Sequence, residues 1–430
     1  MTIDLKRVLN VGGICGALLL GYLAATERMG EIAMLGITVV ATLVAFAAPV
    51  GLLVLMAAVG GVVASSQWPP IIAVADGAIY PGDALLGLAA AGVICHERAR
   101  PFPRTFLLLG ALTAVVVLMS TTAGAVSFVR MILPAMVLLA LSTLMPDGYD
   151  VWRIVRWVPV AVLASVPLVS DLAGRWTSVA GGPNETGLIF AMGVVLAFTQ
   201  RKVMWRLLLL LVSLAGLAGT AAISATIAGV AGLIVYSLAP RVRRVNLGKG
   251  SPGLVVLLIG VVVIAVPLLR PDVWATIDAH LFQIERFATV FWAGDPILGN
   301  GWANVNEAAF YNSDVSGLHN VYADFAAFTG IVGFVLFSAI LIRTWRRGDL
   351  IARSVLLVWM VWVNTSGAFP GVAWAVLGFV LLAAQSDCHA TRGVIREDEP
   401  EKRNVDSLGN TSRNGTNAGA DAFNAPGAKT

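Results

Sequence analysis

The chain is a succession of long apolar segments separated by short polar connections. Segments such as 207–239 and 254–269 contain no charged residue. They are too long for strands, and a segment that crosses hydrocarbon must satisfy its own backbone hydrogen bonds, which favours helices. The pattern therefore predicts an all-α integral membrane protein with a bundle of 12–14 transmembrane helices. The predicted spans lie at roughly residues 8–26, 31–47, 49–66, 77–95, 105–121, 128–145, 157–171, 185–199, 207–219, 221–239, 253–269, 320–342, 354–365 and 369–385.

A polar segment, 271–319, interrupts this apolar pattern late in the chain. Apolar residues recur in it at helical spacing: Ile277, Leu281, Ile284, Ala288 and Phe291. The opposite face carries Asp278, Glu285 and, toward its edge, Arg286. This arrangement predicts an amphipathic helix lying on the membrane surface. The segment is therefore expected to form a loop region outside the bilayer.

Composition supports membrane insertion and divides the chain in two. Of 430 residues, 58% are hydrophobic and 13% are charged, a balance that excludes an ordinary water-soluble fold. Residues 1–385 are predicted to form the transmembrane domain, and 386–430, rich in small polar and charged residues, a disordered cytoplasmic tail. The three cysteines are scattered, and no His, Asp or Glu cluster has metal-ligand spacing. We expect no metal and no cofactor.

The basic residues predict the orientation, since Lys and Arg accumulate on the cytoplasmic side. With the N-terminus inside, most basic residues fall in cytoplasmic loops and the polar segment 271–319 faces outward, into the periplasm of a Gram-negative cell. The pI near 9.1 therefore does not indicate nucleic acid as a partner. All of the cations on the outer face are arginines: Arg28, Arg130, Arg175, Arg270 and Arg286. A guanidinium binds phosphate oxygens through two hydrogen bonds, so this bias favours an anionic ligand outside.

Two of these arginines lie next to predicted helix ends. Arg175 begins a loop that ends in Gly181-Gly182-Pro183-Asn184-Glu185. Pro183 and Asn184 suit a helix start, whose N–H groups favour anions, so Arg175 is a candidate for holding a diphosphate. Arg130 is predicted near the outer end of a span, where it must be paired or face water. For both residues the alternative is a purely structural position at the membrane interface.

Two further candidates lie in the polar segment. Arg286, on the predicted surface helix, would lie at the depth of lipid headgroups, or else form a salt bridge with Asp295 or Glu307. His319 is followed by Asn320 at the start of the next span. An imidazole in that position can accept a proton from a sugar hydroxyl near neutral pH, although a lone histidine is more often structural.

In three motifs the chain resembles the O-antigen ligase and polymerase family of bacterial glycan-assembly enzymes. The first is the loop from Arg175 to Gly-Gly-Pro-Asn, and the second runs from Arg286 through Pro296 to Gly299-Asn300-Gly301. The third is His319-Asn320 followed by Phe328-Thr329-Gly330-Ile331-Val332-Gly333. One departure is Ala225, which stands where family members commonly carry an arginine.

The resemblance implies a GT-C-like, metal-independent, inverting glycosyltransferase of the bacterial inner membrane. The donor would be a glycan on undecaprenyl diphosphate and the acceptor a glycan or lipid A–core, in contact with membrane lipids and other assembly proteins. Arg286 and His319 would be catalytic. Arg175, Asn184 and Asn320 would bind substrate, with Arg130 or Arg270 replacing the cation that Ala225 lacks.

Several functions remain compatible with these residues. Polymerase, ligase and protein O-glycosylation differ only in the acceptor, which the sequence does not identify. A transporter or flippase of lipid-linked sugars is the main alternative, but its broken helices and mid-membrane charges are not evident in the sequence. The departure at Ala225 also fits a non-catalytic partner in polysaccharide assembly.

Overall fold

A computed structural model of the chain describes residues 49–63, 72–74, 77–96, 100–146, 149–170, 174–200, 202–238, 291–292, 295–301, 321–366 and 371–397. These residues are almost entirely helical. The elements are α1 (Val50–Val63), β1 (Ile72–Val74), β2 (Gly77–Ile79), α2 (Pro81–Cys95), α3 (Arg104–Met119), α4 (Thr122–Leu141), α5 (Trp152–Val155), α6 (Val158–Val169), α7 (Pro183–Phe198), α8 (Val203–Thr220), α9 (Ile223–Leu238), α10 (Val321–Arg347), α11 (Leu350–Ser366) and α12 (Gly371–Glu397).

The helices confirm an α-helical, membrane-embedded protein. Within the described residues, four stretches are long and apolar enough to cross a membrane: Gly124–Leu141, Trp152–Val169, Val203–Thr220 and Phe325–Arg347. Shorter apolar helices occupy the other predicted spans of the described part. The predicted spans at 8–26, 31–47 and 253–269 lie outside the described residues, as does most of the predicted surface helix. The GT-C-like arrangement remains a prediction.

Two predicted helix starts are wrong for local reasons. The span predicted at 77–95 begins with a strand, because β1 and β2 pair antiparallel with Ile72 opposite Ile79, and helix α2 starts only at Pro81. Proline suits the first helical position, where no N–H is needed. Helix α4 begins at Thr122 instead of 128, because the Thr121 hydroxyl accepts the Gly124 N–H at 3.2 Å and caps the helix there.

Helix α12 forms the centre of the bundle. Its residues from Val372 to Ala384 are buried all round, as expected for a helix with no polar face. A Cβ on Gly61 of α1 would lie 2.8 Å from Ala375, and one on Gly378 would lie 2.9 Å from Ala135 of α4. On its other side, the carbonyl of Ala373 accepts the Trp359 indole N–H of α11 at 2.7 Å. Small residues thus let α1 and α4 approach this helix closely.

The other helices pack around this centre. Helix α1 contacts α2 and α4, α3 contacts α4 and α10, and α7 contacts α8, α9 and α11. Aromatic rings fill the middle: Phe325 and Phe337 of α10 stack at 4.4 Å, and both contact Trp374 of α12. Each such pair adds about 0.5–1.5 kcal/mol beyond the burial of its area. Helix α12 continues to Glu397, so residues 386–397, predicted to be disordered, are helical.

Many basic side chains gather at one end of the bundle, which we call the basic end. There Thr105 Oγ1, at the start of α3, accepts hydrogen bonds from Arg343 Nε at 3.2 Å and from Gln385 Nε2 at 3.1 Å. Gln385 Oε1 in turn accepts from Arg347 Nη1 at 3.3 Å. The same end holds Asp349, between α10 and α11, where burial raises the pKa of the carboxyl above its ordinary value. The charge pattern predicts that this end is cytoplasmic.

Candidate functional site

The opposite end of the bundle carries the Arg175 loop. This loop crosses the junction of α8 and α9, where the Trp176 N–H donates to the Gly219 carbonyl at 2.9 Å. Arg175 Nε donates to the carbonyl of Thr220, the last residue of α8, at 2.9 Å. The C-terminal carbonyls of a helix carry partial negative charge and lack intrahelical partners, so a guanidinium is stabilising there.

Arg175 also contacts the start of α7. Its Nη2 donates to Asn184 Oδ1 at 3.2 Å, and the Asn184 carbonyl accepts the Trp362 indole N–H at 3.1 Å. The guanidinium therefore bridges the end of α8 and the beginning of α7, while its side chain stays exposed. The structure brings together Arg175 and Asn184, two residues of the same sequence motif. This group of Arg175, Asn184 and Thr220 is called the Arg175 group below.

The first turn of α7 contains an acidic residue, Glu185. The Glu185 carboxyl group lies beside the helix start, since a Cβ on Gly182 would be 2.8 Å from Glu185 Oε2. An acid in the first turn complements the positive end of the helix. That an outside anion binds the N–H groups at this helix start stays a prediction. The adjacent Arg175 remains the positively charged element of this region.

Ala225, where an arginine is common in the resembling family, is a packing position in this chain. It is fully buried on α9 and faces Gly187 of α7, on which a Cβ would lie 2.9 Å from Ala225 Cβ. This contact between two small residues lets α7 and α9 approach each other closely. A long charged side chain does not fit there, so any cation of the site has to come from another position.

Arg130 lies at the same end of the bundle but on other helices. Its Nη2 is 2.7 Å from Asp83 Oδ2, and its guanidinium lies 4.8 Å from the centre of the Tyr80 ring. The same carboxylate oxygen accepts the Tyr80 N–H at 3.0 Å, at the start of α2. Because α4 begins at Thr122, Arg130 lies about 12 Å along the helix, and its guanidinium reaches the first turn of α2. An ion pair satisfies the charge at that depth.

A short loop, residues 295–301, is hydrogen-bonded into a break in α10. The break is at Gly330, whose φ of 59° and ψ of −166° are not helical. The N–H groups of Asn300 and Gly301 donate to the carbonyls of Ala327 and Phe328 at 3.0 and 2.9 Å. In return, Ile331 and Val332 donate to Pro296 and Ile297 at 2.9 and 3.1 Å. The loop thus supplies the partners that the broken helix lacks.

Glycines are required at this contact. Gly299, Gly301 and Gly330 all have positive φ. A Cβ on Gly299 would overlap the Phe328 backbone, and one on Gly301 would overlap the carbonyl of Met119 at the end of α3. The predicted turn at Gly299-Asn300-Gly301 thus fits between α3 and α10. The prediction of one unbroken helix across 320–342 is wrong, because Gly330 interrupts it.

The remaining predicted site residues lie outside the described part of the chain. They are Arg270, Arg286, His319 and Asn320. Arg130 and Arg175 share one end of the bundle but are held by different helices, Arg130 by α2 and α4 and Arg175 by α7 and α8. Sequence reasoning missed Asp83 and Thr220. The signal for Asp83 is an acid in the first turn of a helix, whereas Thr220 contributes only a backbone carbonyl, which no sequence pattern marks.

Across the described segments, no group of three or more His, Cys, Asp and Glu residues is placed to hold a metal ion. No protein-family model matches the chain, and comparisons with curated proteins and with solved structures find no match either. The resemblance to the O-antigen ligase and polymerase family therefore stays a prediction from the motifs.

Proposed function

We propose that this protein is a membrane glycosyltransferase that moves a glycan from undecaprenyl diphosphate onto an acceptor sugar. The observation that supports this most is Arg175, an exposed guanidinium oriented by the Thr220 carbonyl and Asn184 Oδ1. It lies at the end of the bundle opposite the basic end, the end that charge patterning predicts to be periplasmic. A positioned guanidinium stabilises the negative charge that develops on a departing phosphate.

The proposed reaction needs no metal. His319 accepts the proton of the acceptor hydroxyl, and the hydroxyl oxygen attacks the anomeric carbon from the side opposite the diphosphate. The bond between that carbon and the phosphate oxygen breaks, and undecaprenyl diphosphate leaves as an anion. The configuration at the anomeric carbon is therefore inverted. Arg175 and Arg286 hold the diphosphate, with Arg270 and Asn320 as further substrate contacts. The acceptor, a second lipid-linked repeat or lipid A–core, decides between polymerisation and ligation.

The catalytic proposal is tested by glycan analysis in a deletion strain. Complementation with His319→Ala or Arg286→Ala is expected to abolish long-chain glycan and to leave lipid-linked units or uncapped acceptor. Arg346→Gln is the matched control, because Arg346 is an exposed arginine at the basic end. Normal glycan from both stably inserted site variants would refute the assignment.

Metal independence is tested separately. Chelation with EDTA is expected to leave glycan transfer by the purified protein unchanged, because arginines supply the positive charge in the proposed reaction. Loss of transfer that added Mg²⁺ or Mn²⁺ restores would contradict the mechanism.

The break in α10 favours one other function, transport of lipid-linked sugars. Transporters place such breaks near the middle of the membrane, where the freed backbone groups bind the substrate. From Gly330 to Arg347 at the basic end, α10 is about 25 Å long, close to the ~30 Å hydrocarbon thickness. The break therefore lies near the far surface, and residues 295–301 bond its backbone groups. We favour surface catalysis for this reason.

A further inference from the structure

A cleft opens at the basic end, far along the helices from the Arg175 group. It lies where the starts of α6 and α8 meet the end of α7, and its volume is about 120 Å³. Its walls are Arg156, Trp157, Gln200, Trp205 and Leu209. Pockets that enclose drug-sized ligands have volumes of roughly 300–1,000 Å³. This cleft is therefore suited to one small group rather than to a sugar chain.

The cleft contains a positioned cation. Arg156 Nη1 donates to Gln200 Oε1 at 3.0 Å, and the guanidinium carbon lies 5.8 Å from the Trp157 ring. Arg206 also bonds the Gln200 carbonyl, at 2.9 Å from Nη2, which fixes this residue. Among the described residues, nothing accepts a hydrogen bond from the buried Nε of Arg156. Because Nε is buried, an anion in the cleft has to approach the guanidinium from its Nη side.

An apolar ridge of α8 lies beside the cleft, about a quarter-turn around the helix from Trp205. Its members Met204, Leu208 and Leu211 are between 38% and 67% exposed, as expected for a helix face that contacts lipid chains. At the mouth of the cleft, the rings of Trp157 and Trp205 meet edge to face at 5.2 Å. Tryptophan prefers the depth of lipid headgroups. A charged cleft, a tryptophan pair and an apolar ridge thus follow one another from the helix ends toward the membrane interior.

We propose that this cleft binds the phosphodiester headgroup of an anionic phospholipid, from the leaflet at the basic end. The phosphate oxygens accept from Arg156, and the acyl chains lie along the exposed face of α8. Basic pockets between helices at the cytoplasmic surface attract anionic headgroups. A soluble phosphate ion shares the chemistry of the head, but only a lipid also uses the apolar ridge. The site does not depend on the glycosyltransferase proposal.

The test is thermal unfolding of the full-length protein in neutral detergent with added phosphatidylglycerol, phosphatidylcholine or inorganic phosphate. Phosphatidylglycerol is expected to raise the unfolding midpoint of the unaltered protein, and the other two to have little effect. Arg156→Gln is expected to weaken the apparent affinity for phosphatidylglycerol at least about tenfold, since it removes charged hydrogen bonds. Arg153→Gln is the matched control, because Arg153 is an exposed arginine one turn away, and it should keep the full response.

A second variant covers the possibility that Arg156→Gln does not fold. Gln200→Glu keeps the size and the acceptor for Arg156 Nη1, loses the Nε2 bonds to Leu196 and Thr199, and places a carboxylate beside the headgroup. We expect a stable protein whose response to phosphatidylglycerol is lost. An unchanged response in both variants, or an equal response to phosphatidylcholine, would overturn the proposal. An equal response to inorganic phosphate would overturn the lipid as the source.

Discussion

Arg130 and Arg175 lie at the same end of the bundle but are stabilised in different ways. Arg130 is partly withdrawn from solvent and bonded to a carboxylate, with side-chain exposures of 38% for Arg130 and 14% for Asp83. Arg175 is exposed and donates to a backbone carbonyl and a side-chain amide, and its charge also interacts with the Glu185 carboxyl. A cation that is hydrogen-bonded to an acid and partly withdrawn from solvent tends to be structural, whereas an exposed cation is accessible to an anionic ligand.

The largest expected effect separates the two arginines by activity. Arg175→Ala should lower glycan transfer by the purified protein about 100-fold, the usual cost of removing one donor that stabilises developing charge. The double variant Asp83→Leu with Arg130→Met, which removes the ion pair as a unit, should keep most of the activity. The measurement is transfer rate with a lipid-diphosphate-linked donor. If the double variant loses as much rate as Arg175→Ala, the two arginines do not differ in role.

The next effect separates them by stability. Asp83→Ala leaves Arg130 without this carboxylate and removes the acceptor of the Tyr80 N–H, so the free energy of unfolding should fall by about 1–3 kcal/mol. Arg175→Ala, at an exposed position, should lower it by less, about 0.3–1 kcal/mol for the lost contact with the end of α8. Thermal or denaturant unfolding in one detergent measures both. Adding Arg130→Met to an Asp83→Leu protein should recover stability, since an uncharged pair needs no compensation.

The smallest effect concerns the orientation of Arg175. Asn184→Ala removes the Nη2 bond but keeps the Asn184 backbone carbonyl that Trp362 uses. One hydrogen bond is worth about 1 kcal/mol, so transfer should fall about fivefold with little change in stability. Asn184→Asp keeps an acceptor and adds a charge, which makes Arg175 resemble Arg130. If a carboxylate bonded directly to Arg175 weakens its hold on the diphosphate, Asn184→Asp should reduce transfer more than Asn184→Ala does.

Most of the helices could be predicted from the sequence because a span in hydrocarbon must satisfy its backbone hydrogen bonds within its own segment. A run of apolar residues of sufficient length has to be helical whatever its neighbours are. The break at Gly330 could not be predicted in this way, because a glycine inside an apolar run does not interrupt the hydrophobic pattern. Its break depends on a partner loop, 295–301, that lies about thirty residues earlier in the chain.

The site was harder to predict because its contacts join distant parts of the chain. Arg175 and Asn184 share one loop, so their meeting could be expected from the motif. The partner of Arg130 is Asp83, 47 residues away, and the second partner of Arg175 is a backbone carbonyl 45 residues away. Ala225 was noticed only as a departure from the family pattern. Its role in the contact of α7 with α9 depends on Gly187, which the sequence alone does not pair with it.

The buried centre of the bundle, α12, comes after every other described helix in the chain. Ribosomes deliver the N-terminal helices first, so α1 and α4 enter the membrane well before the helix they pack against has been made. During that interval, the faces around Gly61 and Ala135 have to be covered by lipid or by the insertion machinery. Assembly of this part of the bundle is therefore a late event, which begins only when translation has produced the segment that forms α12.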